Sequence, residues 1–409
     1  MAAPKLRFKE FDGDWTKSSL INLAKDKSLN NGVFNDQNKV GQGYKLINVL
    51  DMYIERDIDE SRLSLLDLDL KEFERNKVKF GDIFFTRSSL VKEGIAFSNV
   101  YLGHSQDITY DGHLIKLSPD LEVTNPSFLN YALKTSKVRK QLIQGGKTAT
   151  MTTIGQQEVG KTPIDFPVLD EQTKIASFLS AVDEKISQLT QKHQLLSQYK
   201  QGMMQKLFSQ QVRFKADDGS EFGEWETTTL GQTGKFIGGG TPSKENSEFW
   251  EGSIPWISSS DLTEESIFKI NITRFISQNA LNQSATKLVP ANSILIVSRV
   301  GVGKVAITPN EICTSQDFTS LTLHKGSSIF FAYLIKSLTP YLLEMNQGTS
   351  IKGFIKDDLA NLELKIPCIE EQTKIANFLS AIDQKIEVVA QQIEQAKQWK
   401  KGLLQQMFV

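Results

Sequence analysis

The sequence predicts an α+β fold: two structurally similar, mixed β-rich modules with short helices, joined and spaced by two long antiparallel helices that form a coiled coil, with internal pseudo-two-fold symmetry. Three observations carry this reading: a near-verbatim repeat, a heptad inside the repeat, and a diverged but alignable stretch before each copy. The repeat is DEQTKIASFLSAVDEKI at residues 170–186 and EEQTKIANFLSAIDQKI at residues 370–386. The near-identity continues through QYKQGMMQKLFS and QWKKGLLQQMF. A repeat of this size defines the organisation of a chain before any local propensity is considered.

The halves align with a drifting offset. Trp15 matches Trp225, Leu20 matches Leu230 and Asp51 matches Asp261; then Arg87 meets Arg299, Tyr131 meets Tyr333 and Pro167 meets Pro367. Insertions and deletions between fixed anchors are the mark of a tandem duplication. The resulting divisions are a first module at 1–166, a first long helix at 167–212, a second module at 213–366 and a second long helix at 367–409. The helices stayed near-copies while the modules diverged, so one part keeps a single job twice and the other does two different jobs.

Residues 171–208 hold no proline and only Gly202, near the end, which permits a long helix. Heptad steps give Ile175, Val182, Leu189, Leu196 and Met203 in one copy, and Ile375, Ile382, Val389, Ala396 and Leu403 in the other. An apolar residue at every step is a coiled-coil seam, and these ten form the expected helix-helix spacer contact. The other seam position is expected to be mixed, at Phe178, Lys185, Lys192, Tyr199 and Lys206, with Phe378, Lys385, Gln392, Trp399 and Gln406 as counterparts. That seam is narrow, with lysine stems covering part of it. Each helix of about 38 residues spans about 57 Å. Before each stands a proline and then acids, an extended stop followed by carboxylates at the positive end of a helix.

The modules mix short strand-like runs with loops. KLINVLDM, GDIFFT and HLIKL in the first, and IPWIS, SILIVS and TSLTL in the second, are the strand candidates, with a short helix following in FLNYALKTS and FFAYLIKSL. After equivalent apolar runs stand Arg87 with Ser88, and Arg299 with Lys304 in SRVGVGK. A second pair of loops, GGKTATMTT and NQGTSIKGF, offers Lys147, Thr148, Thr349 and Lys352. Arginine and lysine can hold phosphates or read guanine edges, and hydroxyls can contact either. Any one of these residues alone reads as a solvated loop group. Their recurrence in both modules makes DNA contact an equal reading.

Composition excludes several classes. At 409 residues the chain is too long for one ordinary domain. A net charge of −1 and a pI near 6.5 argue against coating nucleic acid by bulk electrostatics, while leaving room for local basic faces. No leader pattern and no apolar run of membrane-spanning length is present, so a cytosolic protein without membrane contact is expected. Cys313 and Cys368 lack metal-ligand spacing to any histidine, so neither a metal site nor a disulfide is expected.

Catalysis by this chain is not expected. NPSF, residues 125–128, is one residue from the Asn-Pro-Pro-aromatic loop of adenine amino-methyltransferases, but the second proline is absent; Asn125 reads as a helix cap. In SRVGVGK, Lys304 is followed by Val305, without the spacing or hydroxyl of a phosphate-binding loop.

Taken together, GGGTPSKENSEFWEGSIPWISSSDL, SILIVSRVGVGKVAI, GTSIKGF, IPCIEEQTKIANFLSAIDQKI and KQGMMQKLF closely resemble the specificity subunits of type I restriction-modification enzymes. The resemblance spans essentially the whole chain. The first module departs from it by having LNNGVFNDQNK where GGGTPS is expected. The resemblance implies target-recognition domains that each read one half of a split double-stranded DNA site, with the helices setting the gap and docking two methyltransferase subunits. It implies no cofactor on this chain, S-adenosylmethionine on the methyltransferase subunits that modify adenine N6, and ATP with Mg on two further restriction and translocase subunits. The rival reading is a non-enzymatic scaffold whose two modules bind protein or glycan ligands.

Overall fold

The computed structural model describes residues 4–344 and 353–409. The chain forms two compact units, residues 1–190 with 391–409, and residues 191–390. Two continuous helices, α1 (Leu169–Phe208) and α2 (Ile369–Met407), contribute to both units.

Within the first unit a four-stranded antiparallel sheet runs in the order Ala24–Asn31, Leu114–Pro119, Ile83–Thr86, Ser98–Val100. Within the second, the order Gly234–Gly238, Phe318–Leu323, Ile294–Val297, Val305–Ile307 repeats that arrangement strand for strand. The internal strands Ile83–Thr86 and Ile294–Val297 are buried at every position, which is why they read as unbroken apolar runs. A second sheet in each unit contains one parallel pair, Val40–Ile47 with Ile108–Tyr110 and Ile254–Ile257 with Ile312–Thr314. A two-stranded ribbon closes each module, Thr16–Ser19 on Pro163–Phe166 and Glu226–Thr229 on Glu363–Ile366.

The matched anchors fall at matched places. Asp51 accepts from the Asn48 amide at 2.8 Å, and Asp261 accepts from the Ser258 amide at 2.7 Å, each closing one short 3-10 turn. Asn125 caps the helix Pro126–Lys134, accepting from the Phe128 amide at 3.1 Å. The divergent loop of the first module retains one glycine of the GGGTPS pattern. A Cβ on Gly32 would lie 2.0 Å from the Tyr110 carbonyl oxygen, and one on Gly239 would lie 1.9 Å from that of Ser315, so both positions need a bare backbone beside the same strand of the second sheet.

Each unit pairs opposite ends of the two long helices. In the first unit Ile175, Leu179, Val182 and Ile186 of α1 share a core with Leu403 and Met407 of α2 and with Phe128 and Tyr131 of the module. In the second, Ile375, Leu379 and Ile382 of α2 share a core with Met204 and Leu207 of α1 and with Phe330, Phe331 and Tyr333. The pairing is therefore antiparallel. Of the ten expected spacer residues, Ile175, Val182, Leu189, Ile375, Ile382, Val389 and Leu403 are buried, and Leu196, Met203 and Ala396 are half-buried. The second seam differs from the expectation. It runs through Leu179, Ile186, His193, Lys200 and Leu207, one residue later than Phe178, Lys185 and Lys192. Spacing that alternates four and three residues carries the inward stripe to these positions, and Lys185, Lys192 and Lys206 are exposed.

Polar contacts, repeated in both units, fix each helix start to its module. Glu171 is fully buried and receives Nε and Nη2 of Arg7 at 2.8 and 2.7 Å; Glu371, equally buried, receives Arg213 at 3.1 and 2.7 Å and the Trp225 indole at 3.2 Å. Gln172 and Gln372 each donate to the carbonyl of the preceding proline, Pro167 or Pro367, at 2.9 Å. The amide oxygen of Gln172 accepts from the Asn125 amide, and that of Gln372 from the Ser327 amide. Thus the repeated Glu-Gln pair is a two-sided clamp.

Further along, Tyr131 donates to Asp183 at 2.7 Å, and Lys400 pairs with the same carboxylate at 2.5 Å. In the second unit Tyr333 donates to Asp383 at 2.5 Å, and Lys200 pairs with it at 2.5 Å. Lys200 and Asp383 are less than a tenth exposed. Removing one member of a buried pair strands the other charge. Asp383→Ala is expected to destabilise the second unit by about 3–5 kcal/mol, read as a lowered urea midpoint, and Lys200→Met in the same chain is expected to recover part of the loss.

One turn past each tyrosine sits a half-buried lysine. Burial, reinforced by the charge of Lys400, draws Lys134 down to about 8, and burial with Lys200 does the same to Lys336. Burial, then the charge of Asp383 beside it, pushes the Tyr333 phenol up; burial and Asp183 raise Tyr131. An unfolded lysine keeps its proton to about pH 10.4. Between about pH 8 and 10 the unfolded chain therefore binds more protons than the folded one, and stability rises with pH. Above about pH 10 the tyrosines reverse the trend, because the unfolded phenols ionise first. Urea midpoints across this range are expected to climb and then fall, and Lys134→Met with Lys336→Met is expected to flatten the climb.

Candidate nucleic-acid interface

In the first module the strand Ile83–Thr86 is followed by Arg87, whose amide donates to the His113 carbonyl at 2.9 Å and whose carbonyl accepts from the Ile154 amide at 3.0 Å. That second bond brings a distant loop alongside. Lys147–Thr148 pairs with Thr152–Thr153, which pairs with Ser88–Ser89, making a small three-stranded ribbon. Lys147 and Ser88 both lie opposite Thr153. Arg87, Ser88, Lys147 and Thr148 therefore belong to one surface. Arg87, Lys147 and Thr148 are exposed, Ser88 is half-buried, and the Thr148 hydroxyl lies 3.0 Å from that of Thr152. Among the described residues no ion pair engages Arg87 or Lys147. A cationic patch carrying hydroxyls, with its basic groups unneutralised, suits phosphate and base-edge contacts.

In the second module Arg299 is exposed after the equivalent strand, Ile294–Val297. The Phe354 amide donates to the Ser298 carbonyl at 2.9 Å, so the segment at 353–354 lies beside Arg299 as Ile154 lies beside Arg87. A Cβ on Gly353 would lie 2.7 Å from the Ser298 carbonyl oxygen and 3.3 Å from the Arg299 Cα. Lys304 behaves differently. It is half-buried, and its Nζ donates to the Ser259 carbonyl at 3.1 Å, bracing the 3-10 turn Ser259–Asp261. Thr349 and Lys352 lie outside the described residues.

Two further arginines shape these surfaces and carry no local sequence signal. Arg139, on the helix Ser136–Gly145, donates to the carbonyls of Glu93, Ile95 and Ala96 and pins the loop that follows Ser89. Arg274 lies 4.7 Å from the centre of the Trp256 ring, donates to the Ser258 hydroxyl at 2.8 Å and pairs with Asp261. Each contact joins residues from separate strands or helices, which only the folded sheet brings together.

Among the described residues no cluster of His, Cys, Asp and Glu could hold a metal ion, and no helix is long and apolar enough to cross a membrane. Cys313 is buried and Cys368 exposed, both as free thiols. Such a chain is a duplicated recognition protein: one module fold used twice, each copy clamped to the start of a long helix and presenting an exposed arginine after the same strand. The chain belongs to the family described as the type I restriction modification DNA specificity domain, whose sequence model matches residues 14–198 and again 223–398.

Relatives agree with that assignment. A Methanocaldococcus jannaschii protein named as the specificity subunit of type I restriction enzyme MjaX is 27% identical over 98% of this chain and 94% of its own length. The specificity subunit of the type I restriction enzyme EcoR124I/EcoR124II from Escherichia coli is 36% identical over 39% of this chain and 41% of its own. Among solved structures, the S subunit of a type I restriction-modification system from M. genitalium shares the fold with a TM-score of 0.61 at 16% identity, covering 100% of this chain and 99% of that one. A second, from work on assembly and conformational transition of the type I system, matches with a TM-score of 0.59 at 16% identity over 98% of both chains.

Proposed function

We propose that this chain is the DNA specificity subunit of a type I restriction-modification complex, each module reading one half of an asymmetric, bipartite double-stranded DNA site. The observation that carries the reading is the exposed arginine placed after the same internal strand in both modules, Arg87 and Arg299, on otherwise unlike loops. One fold presented twice suits two half-sites, and unlike loops suit unlike sequences. Arg87, Ser88, Lys147 and Thr148 contact the first half-site. Arg299 contacts the second, joined by Thr349 and Lys352 of the segment NQGTSIKGF, and Lys304 braces the turn Ser259–Asp261.

The paired helices set the gap between half-sites and dock two adenine-N6 methyltransferase subunits. Tyr199 and Trp399 support the docking, because these aromatics occupy matched positions on α1 and α2 and stay 52% and 55% exposed. In this reading S-adenosylmethionine belongs to the methyltransferase subunits, and ATP with Mg to two restriction and translocase subunits. The near-neutral chain shares phosphate neutralisation with its partners, so alone it binds DNA weakly and with a shallow salt slope. The complex works in the cytoplasm.

Co-expression with the methyltransferase subunit, followed by single-molecule mapping of N6-methyladenine, is expected to reveal a split motif with a fixed gap, methylated on both strands. An assembled complex that binds S-adenosylmethionine yet methylates nothing would instead favour a scaffold for protein or glycan ligands. Inserting seven residues after Gln191 and seven after Gln391 lengthens both helices by about 10 Å, or about three base pairs at 3.4 Å each. The mapped gap is expected to grow accordingly with both half-sites unchanged; new half-site sequences at the old gap would refute the spacer role.

A further inference from the structure

In the first module, the ribbon that carries Arg87 and Lys147 ends in aliphatic side chains facing solvent. Leu90 is 84% exposed and Val91 62%. Ser89 pairs with Thr152, and Met151, the residue before Thr152, is 40% exposed. The cations lie at the root of the ribbon, where Arg87 adjoins Ile154 and Lys147 lies opposite Thr153, with exposed Lys92 just past the tip.

The tip is ordered. Arg139 donates to the Glu93 and Ile95 carbonyls at 2.8 Å each, the Thr86 hydroxyl donates to the Gly94 carbonyl at 3.1 Å, and the Gly94 amide donates to the Val91 carbonyl at 3.0 Å. The Ser89 hydroxyl accepts from the Val91 amide at 3.2 Å. The loop is thus fixed with two adjacent aliphatic side chains held in water, where they gain nothing from burial. An aliphatic point flanked by positive charge matches the wedges that enter the DNA minor groove and separate a base step while cations hold the phosphates.

We propose that Leu90 and Val91 form an apolar wedge that inserts between base pairs, from the minor groove, in the half-site read by the first module. The inference rests on the DNA-recognition reading above and adds a deformation of the site to it. It is one-sided. At the matching place in the second module Val300 is 69% exposed but is followed by Gly301 and Gly303, both with positive φ, and by half-buried Val302, so that among the described residues no second bulky side chain stands exposed beside it.

The test uses the complex co-expressed with its methyltransferase subunits and duplexes carrying the mapped site, with 2-aminopurine placed in turn at each position of either half-site. Apart from the target adenines, which the methyltransferase subunits turn out of the stack, wild-type complex is expected to raise the fluorescence several-fold at one step of the first half-site and at none of the second. Leu90→Ala with Val91→Ala is expected to abolish the rise at saturating protein, with the site still bound, and Leu90→Phe is expected to keep it. Specific binding without that rise, or its survival in the double alanine variant, overturns the wedge and leaves the recognition reading intact. Loss of methyltransferase association in the tip variants would make the tip a protein contact and also overturns it. Absence of all specific DNA binding by the assembled wild-type complex overturns the recognition reading, and the wedge with it.

Discussion

A carboxylate removed from water must be paired, and the architecture of each unit depends on that constraint at Glu171 and Glu371. Each is fully buried at the start of a 40- or 39-residue helix, and each receives an arginine from the first residues of its module. The guanidinium also reaches back to a nearby carbonyl, Gly13 for Arg7 and Gly223 for Arg213. The adjoining glutamine completes the lock through its proline carbonyl and a module amide. Aspartate in place of Glu171 would fall short, and lysine in place of Arg7 would lose the two-pronged geometry. Exact side-chain length matters at these points, which accounts for the near-identity of the helix starts in two halves that otherwise drifted apart.

The modules answer to a looser constraint. Their cores need apolar residues at alternating and central strand positions, and many combinations fill that space. Ile83–Thr86 and Ile294–Val297 share hydrophobicity more than sequence, yet occupy the same place in the same strand order. The loops beyond them face solvent and are free to differ.

What could be read from the sequence follows the same division. The duplication, the strand runs and the first heptad stripe were visible because periodicity and repetition are local signals. The second stripe was misplaced by one residue because Phe178 and Leu179 are both apolar, and because Lys200, the inward residue further on, is stabilised there by Asp383 from the other helix. Likewise, Glu171 looked like a helix-end carboxylate until Arg7 arrived from far along the chain. Arg87 and Lys147 could be nominated separately, but two-residue strands leave no pattern, so their meeting on one ribbon was not legible. Gly32 was hidden in the same way: its need for a bare backbone comes from Tyr110, nearly 80 positions away.

The interleaving of the helices also bears on the order in which the protein can be made. Residues 191–390 form a continuous stretch and contain every part of the second unit. The first unit lacks Leu403 and Met407 from its core until residues 391–409 are added. At about 5–20 residues per second, roughly 10–40 seconds of synthesis separate Thr190 from Gln391. During that interval Phe128, Ile175 and Leu179 have no α2 to cover them. The module begun first is therefore finished last, and the emerging chain carries an open apolar face that a chaperone, or a neighbouring nascent copy, could occupy.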